Sequence, residues 1–154
     1  MFDRIDQVCP GKYVEGVKCV SLSEDVFNEH FPGHPVFPGS LILEGLAQLS
    51  GVFFEYCMQN EGIPGKVAAL SMINRMKYRR IVTPGDCLVY RAETKVFYPN
   101  EYGVAAVRAT CQGKLCAEGE LMFAFLDIMD DELRQASDRL LRQAFRNVPI
   151  IPAS

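Results

Sequence analysis

The sequence predicts an α+β domain in which one long helix is wrapped by an antiparallel sheet, followed by a second helix at the C-terminus. Three observations carry that prediction. Residues 40–58 lack proline, are rich in Leu, Ala, Glu, Gln and Met, and place apolar side chains nearly all the way round a helical projection. A helix apolar on every side must be buried by other structure. The residues after it fall into β-branched or alternating segments separated by turns, the pattern of antiparallel strands. The last stretch, 127–147, carries an apolar stripe at helical spacing. With 154 residues, 49% hydrophobic and 23% charged, the chain suits a single core and excludes a disordered tail.

The elements follow in order. Cys9-Pro10-Gly11-Lys12 reads as a turn, and Tyr13 to Leu22 as a strand. Residues 31–39 hold three prolines and two glycines, and proline fixes φ and removes donors, so this is a stiff extended loop. The long helix runs from Ser40 to about Met58. Val67–Ile73 and Met76–Val82 read as strand segments ended by the turn Thr83-Pro84-Gly85-Asp86. Cys87–Phe97 alternates, with Leu88, Tyr90, Ala92, Thr94 and Val96 on one face and Arg91, Glu93 and Lys95 on the other. A turn at 99–103, a strand Val104–Cys111, the tight turn Gln112-Gly113-Lys114 and a long strand Leu115–Leu126 complete the series. Short connections between successive strands predict a meander. The tail from Asp127 to Asn147 has acids first and Arg139, Arg142 and Arg146 last, matching a helix macrodipole. Residues 1–126 thus form the domain and 127–154 a helical extension that docks on it or on a partner subunit.

The net charge of −3 excludes a bulk electrostatic case for nucleic acid. The apolar run Leu41–Phe54 is interrupted by Glu44, Gln48 and two glycines and reads as too short and too polar for membrane insertion. Met1–Asp6 is mixed and charged, without the apolar run of a secretion signal, so a cytoplasmic location is expected. Six cysteines, no Cys-x-x-Cys and only two histidines, His30 and His34, point to reduced, mostly buried thiols and to no metal site. The charge is divided along the chain. No Lys or Arg lies between Lys18 and Lys66, while residues 66–80 carry five cations and no acid.

Chemistry concentrates in residues 30–48. His30 precedes the rigid loop, Gly39 and Ser40 offer backbone N–H groups at a helix N-terminus, and Glu44 lies about one turn in. Free N–H groups at the positive end of a helix suit a developing oxyanion. Glu44 sits among leucines on a helix expected to be buried, so it needs a partner or a proton, and a protonated carboxyl is a general acid. Gln48, four residues on, shares its face and can orient it. His34 is read as an ordinary solvent-facing loop residue.

The run His30-Phe31-Pro32-Gly33-His34-Pro35-Val36-Phe37-Pro38-Gly39-Ser40-Leu41-Ile42-Leu43-Glu44, continued to Gln48, resembles the signature of the 3-hydroxyacyl-[acyl-carrier-protein] dehydratases. Asp3-Arg4-Ile5, Pro10-Gly11-Lys12, Tyr78–Leu88 and Gly113–Leu121 extend the resemblance over residues 1–126. Ile81, Ser40 and Gly45 depart from that family's usual Pro, Val and Ala. The resemblance implies a hot-dog fold, a dimer or a trimer of dimers, and no cofactor. It implies that His30 takes the C2 proton of the acyl thioester and that Glu44 of another subunit protonates the leaving C3 hydroxyl. Gly39 and Ser40 N–H would hold the thioester oxygen. The partner implied is an acyl carrier protein bearing a phosphopantetheine-linked chain. Such carriers are acidic, which offers Arg75, Lys77, Arg79 and Arg80 as a contact, the alternative being a solvated strand face of alternating Lys and Arg. A hot-dog acyl thioesterase, with Glu44 activating water, or a non-catalytic acyl-thioester-binding or scaffolding subunit are the alternatives. Related enzymes that also isomerise the double bond carry Asp where this chain has Glu44, which favours simple dehydration.

Overall fold

The computed structural model describes residues 1–154. Its strands are β1 (Arg4–Cys9), β2 (Tyr13–Cys19), β3 (Lys66–Tyr78), β4 (Cys87–Tyr98), β5 (Tyr102–Cys111) and β6 (Lys114–Asp127). The helices are α1 (Gly39–Asn60) and α2 (Asp131–Ala144), with a short 3-10 turn at Asp25–Asn28. All six strands form one antiparallel sheet in the order β1-β2-β4-β5-β6-β3. The expected α+β architecture is what forms: α1 lies against the sheet, which curves around it.

The meander holds only for β4–β6. β3 does not neighbour β4; it pairs with β6 at the far edge. The reason is α1 itself, which at 22 residues spans about 33 Å and carries the chain across the sheet before β3 begins. β3 is also one strand, not two, running through bulges at Leu70/Met72 and Asn74/Lys77 and ending at Tyr78. Val82, expected at a strand end, is instead a buried loop residue whose carbonyl accepts from the Phe37 N–H at 2.7 Å. That bond pins the proline-rich loop to the domain.

Two smaller expectations also change. Beyond a register shift between Thr94 and Val96, Phe97 rather than Val96 joins the inner face, opposite the buried Gly103. There it meets Phe54 of α1 and Phe125 of β6, each with ring centroids 5.8 Å away. The tail helix starts at Asp131 rather than Asp127, because Asp127 completes β6 and pairs with Lys66 at 2.7 Å. Asp130 then caps α2, accepting from the Leu133 N–H at 3.0 Å. Of the cysteines, Cys9, Cys57 and Cys116 are buried, Cys111 is half-buried, and Cys19 and Cys87 are exposed. The last two face one another across β2 and β4 with sulfurs 2.7 Å apart.

α1 ends at Asn60 and so exceeds the expected length; by length and composition alone it is long and apolar enough to cross a membrane. Its apolar character is used inside the domain. Leu46, Leu49, Phe53, Phe54 and Met58 are fully buried against the sheet. Gly45 allows α1 to sit close to β4: a Cβ there would lie 2.5 Å from the Tyr90 ring. Tyr90 is fully buried, its hydroxyl has no partner, and burial pushes its pKa well above the ordinary phenol value. Gly45→Ala is therefore expected to lower the unfolding free energy by about 1–3 kcal/mol through overpacking. Denaturant midpoints check this, and the loss should shrink when Tyr90 is also replaced by Leu.

Candidate active site

His30 follows the 3-10 turn, with its N–H bonded to the Val26 carbonyl at 3.0 Å. Its carbonyl accepts from Val36 N–H at 3.0 Å, and Phe31 and His34 exchange backbone bonds of 3.1 and 2.9 Å. The loop that proline made stiff is thereby closed on itself. His30 Nδ1 lies 2.9 Å from the Val36 carbonyl oxygen. A carbonyl only accepts, so Nδ1 carries a hydrogen, and in the neutral ring Nε2 is the nitrogen that holds the lone pair. The half-buried imidazole is stacked on Phe31 at 4.2 Å, which fixes its plane. The ring plane and the Nδ1 contact leave Nε2 as the nitrogen available to a ligand.

α1 begins at Gly39 after Pro38, and no side chain caps it. The first helical backbone bonds belong to Leu41 and Ile42, both donating to Pro38, so the Gly39 and Ser40 N–H groups are without an acceptor. They are the orphan donors expected at a helix start. Position 39 is held to glycine by Tyr78, whose ring would lie 2.7 Å from a Cβ there. Partial burial raises the Tyr78 phenol pKa. Tyr78 was not singled out from the sequence; its only signal is its place before Arg79-Arg80, where the resembled family has Phe.

Glu44 is not buried within one chain. It is exposed, as are Ser40 and Gln48 one turn to either side. The sheet covers one side of α1 only, and the other opens onto a groove of about 870 Å³. Ser40, Glu44 and Gln48 line this groove with Leu43, Ala47 and Val52, which are half-buried. The apolar periodicity of α1 thus exceeds what its own domain covers. Deeper in the groove Glu55 accepts the Ala68 N–H at 2.9 Å, and burial raises its pKa above the usual carboxylate value. His30 is not among the groove's walls. One chain therefore presents Glu44 and His30 in different places.

The basic run is distributed rather than pooled. Arg79 pairs with Glu118 at 2.7 Å, and its hydrogen bond holds the Glu118 carboxyl below its ordinary pKa. Arg75 and Lys77 line a shallow depression on the outer face of the sheet with Glu118 and Glu120 of β6. Arg80 follows β3 and is exposed. His34 is exposed.

A FabA-like domain model matches residues 1–120. The chain belongs to the FabA-like family. A curated relative of this FabA-like chain from Acetivibrio thermocellus is 42% identical over 127 residues, covering 82% of this chain and 84% of that protein. Another from Campylobacter curvus is 38% identical, covering 82% and 87%. Both are named 3-hydroxyacyl-[acyl-carrier-protein] dehydratase FabZ. Among solved structures, a dehydratase heterocomplex from Xenorhabdus doucetiae matches with TM-score 0.66 and 17% identity, over 88% of this chain and 87% of that one. A hot-dog-like protein from Thermanaerovibrio acidaminovorans matches with TM-score 0.63 and 19% identity, over 84% and 90%. A thioesterase from Haemophilus influenzae gives TM-score 0.63 at 16% identity, over 82% and 80%. At such identities these structures establish the hot-dog fold of the FabA-like chain, and no more.

Proposed function

We propose that this chain is a 3-hydroxyacyl-[acyl-carrier-protein] dehydratase, converting a carrier-bound 3-hydroxyacyl thioester to the trans-2-enoyl thioester and water. The observation that carries the reading is the chemistry of residues 30–44, where a histidine with Nε2 free, two unpaired amides and a groove carboxyl follow one another. His30 Nε2 removes the C2 proton. The electrons form the C2–C3 double bond as the C3–O bond breaks, and Glu44 gives its proton to the departing hydroxyl, releasing water. Gly39 and Ser40 N–H take up the charge that develops on the thioester oxygen, without which the C2 proton is not acidic enough. Gln48 orients the Glu44 carboxyl. The proton on His30 returns to Glu44 through solvent, closing the cycle.

The site is completed by a second copy. β3 pairs only with β6 and leaves its other edge free, and its Leu70, Met72 and Ile73 are 42–56% exposed. Long apolar edge strands are templates for another strand. Pairing of two β3 edges would cover these residues, shield Glu44 from water, and set the partner's His30 loop against the groove. The acyl carrier protein approaches the N-terminal end of α1, near Arg79 and Arg80, and a cytoplasmic location goes with a soluble carrier.

The test is to supply a trans-2-enoyl thioester on a carrier protein and follow both the conjugated double bond and free thiol. Hydration without thiol release is the expected result. Thiol release would make the chain a thioesterase, and neither change would leave a non-catalytic binding subunit.

A further inference from the structure

Away from the N-terminal end of α1, the groove beside Glu44 meets α2. Ser137, Leu140, Leu141 and Ala144 of α2 line it together with α1 and β3. α2 is fastened before, along and after its length. Ahead of it the Ile128 N–H bonds to the Gly65 carbonyl at 2.9 Å, and Arg134 lies over Gly65. Along it Gln59 donates to Asp138 at 2.8 Å, and just past its end Tyr56 stacks on Phe145 at 4.1 Å. After it Val8 N–H bonds to the Pro149 carbonyl at 3.1 Å and Ile151 N–H to the Val8 carbonyl at 2.8 Å, a parallel bridge onto β1. Leu141 is 5% exposed, so the helix is seated on the core, whereas Leu140 is 66% exposed and lines the groove. The FabA-like match ends at residue 120, and α2 lies outside it.

We propose that α2 is the end wall of the acyl site, and that Leu140, backed by Leu141 and Ala144, sets the longest acyl chain accepted. This rests on the dehydratase reading, which places the thioester at Glu44. The contacts of α2 with Tyr56 and Gln59, and the lining residue Glu55, put the wall about 16–22 Å beyond Glu44 at the helical rise. Between the two, Ala47, Val52, Leu70 and Phe123 line the groove, with Gln48 and Glu55 as the polar groups among them, and such mainly apolar walls suit hydrocarbon. A tail lying along them gains about fourfold in affinity per buried methylene. A tail long enough to meet Leu140 must bend or draw the thioester away from Glu44, and the gain stops.

The probes are unreactive S-alkyl pantetheine thioethers with tails of about four to sixteen carbons, titrated calorimetrically into the full chain. Wild-type affinity is expected to climb about fourfold per methylene and then break. Leu140→Trp should move the break to shorter tails, and Leu140→Ala should move it about two methylenes longer. Circular dichroism checks that both variants are folded. A break that stays in place in both folded variants overturns the proposal, as does affinity that climbs without a break or the absence of binding at every length. Enoyl hydration by the wild type is scored separately. Hydration with an unmoved break removes the wall and keeps the dehydratase; a moved break without hydration does the reverse.

Discussion

Mixing His30→Ala with Glu44→Gln subunits is expected to restore about a quarter of the wild-type rate, although each variant alone is slowed at least about 100-fold. The single-variant losses follow from the usual worth of a positioned acid or base. The restoration follows from geometry. Glu44 opens into the groove of its own chain, and His30 of that chain does not line it. If each site draws Glu44 from one copy and His30 from the other, a mixed dimer has one site with both groups intact and one with neither. Random reassociation makes about half of all dimers mixed. Enoyl hydration after co-refolding reads the outcome. A mixture no faster than the average of its two components would mean that both groups serve the same chain's site.

Met72→Lys combined with Ile73→Lys is expected to halve the mass seen by light scattering and to cut turnover at least about 100-fold, with the circular dichroism spectrum retained. Both residues are half-exposed on β3, whose pairing with β6 leaves the other edge free. Met72 stands opposite Met122, on the outer face, and Ile73 opposite the buried Leu121, on the inner face, so the pair charges both sides of the edge. Like charges brought together across a new strand pair oppose its formation. If the base comes from a second copy, a single chain that keeps its fold holds Glu44 without one, and mass and rate fall together. Full activity at half the mass, or an unchanged mass, would contradict the shared-site reading.

The residues most legible in the sequence are those whose chemistry is local. Proline and glycine spacing made the 31–39 loop rigid, and placed Gly39 and Ser40 at a helix start, without reference to anything distant. The alternation in β4, β5 and β6 likewise marked those strands. β1 was missed because Arg4–Cys9 mixes charges with apolar residues and carries a register shift between Ile5 and Gln7, which erases the period of two. The place of β3 was not legible, since it depends on how far α1 reaches across the sheet. Nor was the exposure of Glu44: periodicity reports which helix positions are apolar, not whether the cover comes from this chain or another. The free Nε2 of His30 depended on where a loop folds the Val36 carbonyl. Leu140 belongs to an ordinary amphipathic stripe, and only the groove beside it separates lining from docking.

The bridge from Val8 to Ile150 also bears on the order in which the molecule assembles. Closed from an open chain, a loop of roughly 140 residues costs about 4 kcal/mol in entropy, before any constant term. Once β6 is in the sheet, β1 and the start of the tail are already held. The remaining segment, of roughly 20 residues, then closes for about 2–3 kcal/mol. Two backbone bonds, each worth about 1 kcal/mol net, do not offset the first cost, and with the packing of α2 they can offset the second. α2 thus docks at lower entropic cost on a formed sheet, so the α2 side of the groove is expected to be built after the sheet and α1.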